Sequence, residues 1–257
     1  MNPGTLRPLE SNWNAMAELD PLWAILSDPQ KKFGKWNPDE FFSDGDREAR
    51  RVLGMCDANG VQLAPGKMLD FGCGVGRMTR AFSRFFSAAV GIDVSEKMVG
   101  LARKFNADRD NCEFVASANP RMPFPDTTFD LVFSVLVLQH LPTKSLILSY
   151  ISEFIRVAKD GGVIVFQLTN EVPLRDKIQG KRRLWALLAS LGVPPAWLFK
   201  ILGLAPIQMN GISRDQVEVF IGAQGARVQA VERYDPTEGQ YHSYYYFVIK
   251  ESLPGER

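Results

Sequence analysis

Three glycines at alternate positions follow an acidic residue in the segment Asp70-Phe71-Gly72-Cys73-Gly74-Val75-Gly76-Arg77. A short apolar run, 68–71, leads into the segment, and apolar residues at helical spacing follow it, so the predicted order is strand, glycine turn, helix. Glycines let the backbone approach a ligand closely, and the start of the helix is expected to offer free N–H groups to it. The segment therefore predicts a small-ligand site, with Arg77, Arg80 and Arg84 expected on the outer face of the helix.

A second acid supports this interpretation. Ala89 to Asp93 is another short apolar run that ends in a carboxylate, and Asp93 comes 23 residues after Asp70. An acid at the end of the second strand of such a unit is placed to accept hydrogen bonds from both hydroxyls of a ribose. The alternative for the glycine segment alone is a tight structural turn in some other α/β protein, and the second acid counts against it.

The glycine spacing differs from that of two other nucleotide-binding loops. A dinucleotide fingerprint reads G-x-G-x-x-G and a P-loop carries Lys-Ser/Thr after its glycines, whereas this chain has Asp-x-Gly-x-Gly-x-Gly. The pattern resembles the first motif of the class I S-adenosylmethionine (SAM) dependent methyltransferases, [D/E]-x-G-x-G-x-G. Residues 123–130, P-F-P-D-T-T-F-D, resemble the L-P-F-x-D-x-x-F-D signature of the small-molecule members, which include the menaquinone and ubiquinone biosynthesis enzymes. The resemblance is strong over residues 65–168 and weak over the last two strands.

The resemblance implies SAM as the cofactor and S-adenosyl-L-homocysteine (SAH) as its product. By the same resemblance Asp70 would bind the ammonium group of SAM through water, and Asp93 would bind the ribose. Gly72, Gly74 and Gly76 would let the backbone approach the methionine part. Because SAM carries an already activated methyl group, the protein would mainly supply proximity and alignment.

Apolar and loop residues complete the site that the resemblance implies. Met98 would lie against the adenine, and Val135 and Leu136 would line the cleft beside the sulfonium. In the family the adenine loop opens with an acid followed by Ala, but here Ala118 and Asn119 stand at those places, so the Asn119 carbonyl would accept the adenine hydrogen bond one position along. The remaining predicted cofactor contacts are Cys73, Arg77, Val94 and Ser95.

Residues 1–64 form a leader that is rich in aromatic side chains. Proline and capping patterns predict a helix around 12–27 and one or two helices across 38–60. One interpretation is that the aromatic rings pack the leader onto the sheet. The other is that Phe33, Trp36 or Phe41 covers the cofactor, where a ring face would favour the sulfonium by roughly 0.5–2 kcal/mol. Trp36 is the predicted cofactor contact among them.

His140 follows the fourth predicted strand, 129–137. Ligands in open α/β sheets lie outside the carboxyl ends of the strands, so the segment 134–140 should border the site. His140 is the candidate catalytic residue, a general base with an unperturbed pKa of about 6.5. The alternative is a positioning histidine that binds loop backbone, since methyl transfer to a good nucleophile needs no base.

Residues 170–212 interrupt the alternation of strands and helices. Basic residues precede a Trp- and Leu-rich run that Gly192 and Pro194-Pro195 divide into two short helical segments, too short to span a membrane. We expect a helical lid insertion over the substrate. The competing interpretation is a membrane-surface patch across 177–204, which would imply a lipid-like acceptor.

The remaining pattern completes an α/β fold. A helix predicted from Lys144 to Lys159 leads into a fifth strand, 163–168; a helix capped by Ser213 runs to Gly225; and two antiparallel strands follow around a turn at 235–239. The predicted fold is a Rossmann-like doubly wound seven-stranded sheet with an antiparallel last strand. It forms one domain, 1–257, with a helical cap (1–64), a SAM-binding core (65–168), the lid (170–212) and a C-terminal helix and strand pair (213–257).

Composition limits the function classes. A net charge of +1 gives no basic field for nucleic acid, and three cysteines without a C-x-x-C pair, together with two histidines, predict a cytoplasmic protein without a metal site. We expect methyl transfer from SAM to an O, N, S or C atom of a small apolar or amphipathic acceptor, by a monomer or homodimer. An RNA or protein methyltransferase, a non-catalytic SAM-binding protein and a nicotinamide oxidoreductase are the alternatives.

Overall fold

The computed structural model describes residues 6–170, 172, 178–234 and 242–251. Its strands are β1 (Lys67–Phe71), β2 (Ala88–Asp93), β3 (Cys112–Ala116), β4 (Phe129–Ser134), β5 (Ala158–Thr169), β6 (Ala226–Tyr234) and β7 (Ser243–Lys250). They form one sheet in the order β3-β2-β1-β4-β5-β7-β6, in which β7 runs antiparallel to both of its neighbours. The predicted Rossmann-like sheet with an antiparallel last strand is confirmed.

Helices cover both faces of this sheet. They are α1 (Arg7–Leu19), α2 (Pro21–Ile25), α3 (Pro38–Ala58), α4 (Arg77–Phe82), α5 (Glu96–Phe105), α6 (Lys144–Val157), α7 (Gly180–Ser190), α8 (Pro195–Lys200) and α9 (Arg214–Gly222). Helices α1 to α3 belong to the leader, and α7 and α8 are the two short segments of the insertion. Among the described residues, no helix has both the length and the apolar character needed to cross a membrane.

The core lies on both sides of the central strands, because their successive apolar residues point to opposite faces. Leu69 of β1 packs on the face covered by α6 and α9, whereas its neighbour Met68 packs on the face covered by α3 and α4. A third cluster joins the leader to the insertion through the buried side chains of Phe41 in α3 and Trp185 in α7. Val75 of the glycine turn lies in that same cluster, so leader, insertion and turn pack together.

The leader is broken where the sequence predicts a continuous helix. The predicted helix around 12–27 is two helices, α1 and α2, which meet at Asp20 with φ −166°. Pro21 disfavours helical backbone in the residue before it, so the break falls there. The predicted helices across 38–60 are the single helix α3, where the side chain of Asn37 accepts hydrogen bonds from the N–H groups of Asp39 and Glu40.

Other boundaries also differ from those predicted. Strand β4 ends at Ser134 because Leu136 adopts a left-handed φ of +61°, which a strand does not accommodate. Helix α6 ends at Val157, since β5 already begins at the next residue. Helix α9 ends at Gly222, and its start is capped by Asn170, whose Oδ1 accepts the Arg214 N–H at 2.8 Å, rather than by Ser213. The predicted turn at 235–239 lies outside the described residues.

Candidate functional site

The carboxyl ends of β1, β2 and β4 border a cleft. The leader closes one side of it through α1 and α2. Most of the site residues predicted from the sequence line this cleft: Asp70, Gly72, Cys73, Gly74, Arg77, Asp93, Val94, Met98, Val135, Leu136 and His140.

The glycine turn has the left-handed backbone that its sequence predicts. Gly72, Gly74 and Gly76 have φ values of +76°, +54° and +81°. A β-carbon on Gly72 would lie 2.5 Å from Val137 Cγ1, and one on Gly74 would lie 2.5 Å from Ile25 Cδ1. Both close approaches are made by protein side chains, so the turn is tight because the chain packs on it from two sides.

Three N–H groups in the first half of the glycine turn are occupied within the protein. The amides of Gly72 and Cys73 both donate to the carbonyl oxygen of Ile92, at 2.7 Å and 3.1 Å. The amide of Gly74 donates to Asp93 Oδ2 at 2.9 Å. These bonds tie the turn to the end of β2, and the offer of N–H groups from the start of α4 to a ligand stays a prediction.

Asp70 and Arg77 are both buried beside the turn, at 2% and 3% exposure. Asp70 Oδ2 accepts the Thr79 hydroxyl at 2.6 Å, and burial raises the pKa of Asp70 to about 6. The sequence predicts that Arg77 points outward with Arg80 and Arg84, but Arg77 is buried instead. Its Nη1 lies 3.0 Å from Asp44 Oδ2, and its guanidinium lies over the ring of Phe41.

Asp93 is held in place by backbone donors on both sides. Its Oδ1 accepts the Ser95 N–H at 2.8 Å, and its Oδ2 accepts the Gly74 N–H. Burial raises the pKa of Asp93, and the backbone bonds oppose that shift. Each carboxylate oxygen accepts up to two hydrogen bonds, so both retain a lone pair for a ligand.

The leader presents Trp13 to the cleft instead of Trp36. Trp36 donates its indole N–H to the Leu26 carbonyl at 3.0 Å, and it lies outside the lining of the cleft. Phe33 packs on Phe199 of α8. The missed residue carries a sequence signal, because Trp13 continues the apolar stripe of α1 at helical spacing.

Four other predicted contacts also lie outside the lining of the cleft. Gly76 sits at the start of α4, and the Ser95 hydroxyl accepts an N–H from the first turn of α5. Ala118 packs on the sheet core, and Asn119 Oδ1 accepts a backbone N–H of its own loop. Ser117, two places before Asn119, is the residue of that loop that faces the cleft.

His140 is hydrogen-bonded to the last part of the insertion. Its Nδ1 lies 2.7 Å from the Gln208 carbonyl oxygen, which only accepts, so Nδ1 carries the hydrogen and Nε2 is left as an acceptor. The Gln208 side chain donates in return to the His140 carbonyl at 2.7 Å. Burial lowers the pKa of His140, which favours the neutral imidazole. The ring of Trp13 contacts it edge-on, with centroids 5.6 Å apart.

A profile of the methyltransferase domain family matches residues 69–166, the stretch from β1 to β5. Residues 69–166 are therefore similar to this methyltransferase domain family. A sterol 24-C-methyltransferase of Gibberella zeae is 34% identical over 162 residues, 60% of this chain and 41% of that protein. A 2-methyl-6-phytyl-1,4-hydroquinone methyltransferase of Synechocystis is 32% identical over 125 residues, 48% of this chain and 37% of that protein. The chain thus spans less than half the length of either relative.

The fold of the chain is similar to that of solved structures. Magnesium protoporphyrin IX methyltransferase from Synechocystis, with bound SAH, superposes with a TM-score of 0.62 at 19% identity. The superposition covers 96% of this chain and all of that one. At this identity the likeness establishes the shared fold.

A wider chamber adjoins this cleft. The cleft and the chamber share Ile25, Arg77, Leu136 and His140 as lining residues. The chamber has an apolar side from Trp36, Ile207 and Met209, and a polar side formed by Glu48, Arg51, Gln139, Gln167, Thr169 and Ser243. Among the described residues, Arg77 Nε and Gln139 Oε1 are buried without a hydrogen-bond partner.

Proposed function

We propose that the chain is a SAM-dependent methyltransferase that methylates an O, N, S or C atom of a small apolar or amphipathic acceptor. The observation that carries the proposal is the pair of carboxylates, Asp70 and Asp93, at adjacent strand ends in a mainly apolar cleft. An ammonium group, ribose hydroxyls and an adenine ring are the parts of SAM that carboxylates and apolar walls bind. The carboxylate acceptors and apolar walls of the cleft therefore fit the chemical groups of SAM.

When bound, SAM supplies the activated methyl group, and the residues of this chain bind and align it. Asp70, with a pKa of about 6, is ionised at neutral pH and would bind the ammonium group. The free lone pairs of Asp93 would accept the ribose hydroxyls. Met98 would form the apolar wall beside the adenine, and Leu136 would line the cleft beside the sulfonium, where the cleft meets the chamber.

The chamber is the proposed acceptor site, because His140 and Leu136 border it and the cleft together. Its apolar side fits the body of an amphipathic acceptor. Arg77 Nε, a donor, and Gln139 Oε1, an acceptor, would satisfy a polar group on that molecule. The relatives named for sterol and hydroquinone methylation support this acceptor class. A cytoplasmic location, a monomeric or homodimeric state and membrane contact through 177–204 belong to the same proposal.

Replacing Asp93 by alanine tests the cofactor assignment. Loss of a charged acceptor is worth roughly 1.5–3 kcal/mol, so Asp93→Ala should weaken SAH binding about ten- to hundredfold in calorimetric titration. Asp110→Ala, at an exposed acid before β3, is the matched control and should bind SAH like the wild type. Equal affinity of the Asp93 variant and the control would overturn the ribose assignment.

Transfer of labelled methyl from SAM to candidate acceptors tests the acceptor class. Apolar phenols, hydroquinones and sterols should accept label, and RNA or protein should not. Label that appears only in RNA or protein would replace the small-molecule assignment.

A further inference from the structure

Residues 178–204 carry most of the large apolar side chains that the described part of the chain exposes. Exposed in this stretch are Ile178, Leu184, Leu187, Leu191, Trp197, Ile201 and Leu202. Phe33 of the leader adjoins them, because its ring contacts Phe199 of α8 with centroids 5.5 Å apart. We call the exposed side chains of this stretch together with Phe33 the lid surface. Elsewhere in the described residues only Phe85 and Val219 are similarly exposed apolar side chains.

Helix α7 carries apolar side chains beyond the side that packs inward. The buried Trp185 and the partly buried Leu188 face the rest of the protein. Beside them lie Leu184 and Leu187, and Leu191 just after the helix, at positions i, i+3 and i+7, with 44%, 57% and 71% of each residue exposed. An exposed apolar patch of this kind marks an interaction surface.

All charged residues of the stretch 178–204 are basic. Residues 178–204 contain four basic residues and no Asp or Glu. Of these, Lys181, Arg183 and Lys200 are exposed, and they form no ion pair within the described residues. Lys32 adds a further cation, 4.5 Å from the centre of the Phe199 ring. An apolar face bordered by unpaired cations matches the interface of an anionic membrane, where apolar side chains enter the acyl boundary and Lys and Arg bind headgroups.

We propose that the lid surface docks on an anionic lipid bilayer. A second copy of the chain is a poorer occupant, because a two-fold contact through this face would set its cations against one another. The surface binding does not depend on methyl transfer. Its consequence for the acceptor rests on the proposed function: Ile207 and Met209, near the end of the insertion, line the chamber, so a docked lid would place the chamber next to the bilayer.

Two variants separate the apolar and electrostatic parts of the docking. Flotation would use phosphatidylcholine vesicles with and without phosphatidylserine, at low and high salt. The wild type should float with the anionic vesicles and dissociate in high salt. The charge variant is Lys181→Gln/Arg183→Gln/Lys200→Gln, and the apolar variant is Leu187→Ser/Leu191→Ser/Trp197→Ser. The charge variant loses three positive charges, each of which contributes about a fivefold gain in affinity near an anionic surface, so its binding to the anionic vesicles should weaken on the order of a hundredfold.

The matched control changes the same kinds of exposed residue elsewhere. It is Arg50→Gln/Lys104→Gln/Val219→Ser, and it should float like the wild type. SAH titration of every variant reports folding and the proposed function independently of lipid. SAH binding without flotation of the wild type would overturn the docking alone, whereas flotation without SAH binding would overturn the cofactor assignment alone. Equal flotation of both variants and the wild type would also overturn the docking. So would a wild-type dimer that is lost in the apolar variant.

Discussion

Replacing Gly72 by alanine should destabilise the glycine turn for two separable reasons. Gly72 has φ +76°, where a residue with a β-carbon is less stable by about 1–2 kcal/mol. The added β-carbon would also lie 2.5 Å from Val137 Cγ1 and 2.9 Å from Val137 Cβ, and overpacking of this kind costs about 1–3 kcal/mol. The free energy of unfolding should therefore fall by roughly 2–5 kcal/mol.

Gly60→Ala is the matched control. Gly60 has φ +66°, and a β-carbon there would meet no atom within 4 Å. The free energy of unfolding of that variant should therefore fall only by the cost of the left-handed backbone, without the overpacking cost. The difference between the two variants isolates the contact with Val137. Combining Gly72→Ala with Val137→Ala removes both Cγ atoms and should recover part of that difference.

Urea denaturation gives the free energy of unfolding, and SAH titration reports the cleft. Gly72→Ala should bind SAH more weakly than Gly60→Ala, because Gly72 lines the cleft and its displacement moves the turn. Equal stability and equal SAH affinity of the two variants would refute the close packing on which the site geometry rests.

Three further predictions concern single side chains. Because burial raises the pKa of Asp70 to about 6, the native chain holds a proton that the unfolded chain releases near pH 4, so stability should fall as pH rises from about 4 to 6. Asp70→Asn should remove that slope in urea denaturation, and an unchanged slope would contradict the burial argument. His140→Asn keeps a hydrogen-bond donor for the Gln208 carbonyl oxygen. If Nε2 of His140 is a general base, this variant should lower kcat about 10²–10⁴-fold at unchanged SAH affinity. An unchanged kcat would mean that His140 only positions the loop. Trp13→Ala should weaken SAH binding about threefold to tenfold, and Trp36→Ala should leave it unchanged. The reverse result would indicate that Trp36 covers the cofactor.

The sequence predicts the sheet well because each strand is a local signal. Apolar runs such as 68–71 and 163–168, each beside glycine or proline, mark buried strands without knowledge of the rest of the chain. The two acids follow from the same signals, since Asp70 and Asp93 end adjacent parallel strands. These parts of the site depend only on local order and spacing.

The differences from the predicted arrangement arise where tertiary contacts decide. Whether Trp13 or Trp36 faces the cleft depends on how the leader folds back after the break at Asp20, which aromatic content does not specify. The amides of the glycine turn are occupied because Ile92 and Asp93 lie opposite them across β1 and β2, a pairing that no single segment reveals. For the same reason, the burial of Arg77 follows from the approach of α3 rather than from its own helix.

Calorimetric titration of the wild-type chain with SAM, SAH and NADH tests the central claim most directly. The carboxylate pair and the glycine turn predict that SAM and SAH bind with micromolar affinity and that NADH does not bind. Binding of NADH alone, or of none of the three, would contradict the assignment of this cleft to SAM.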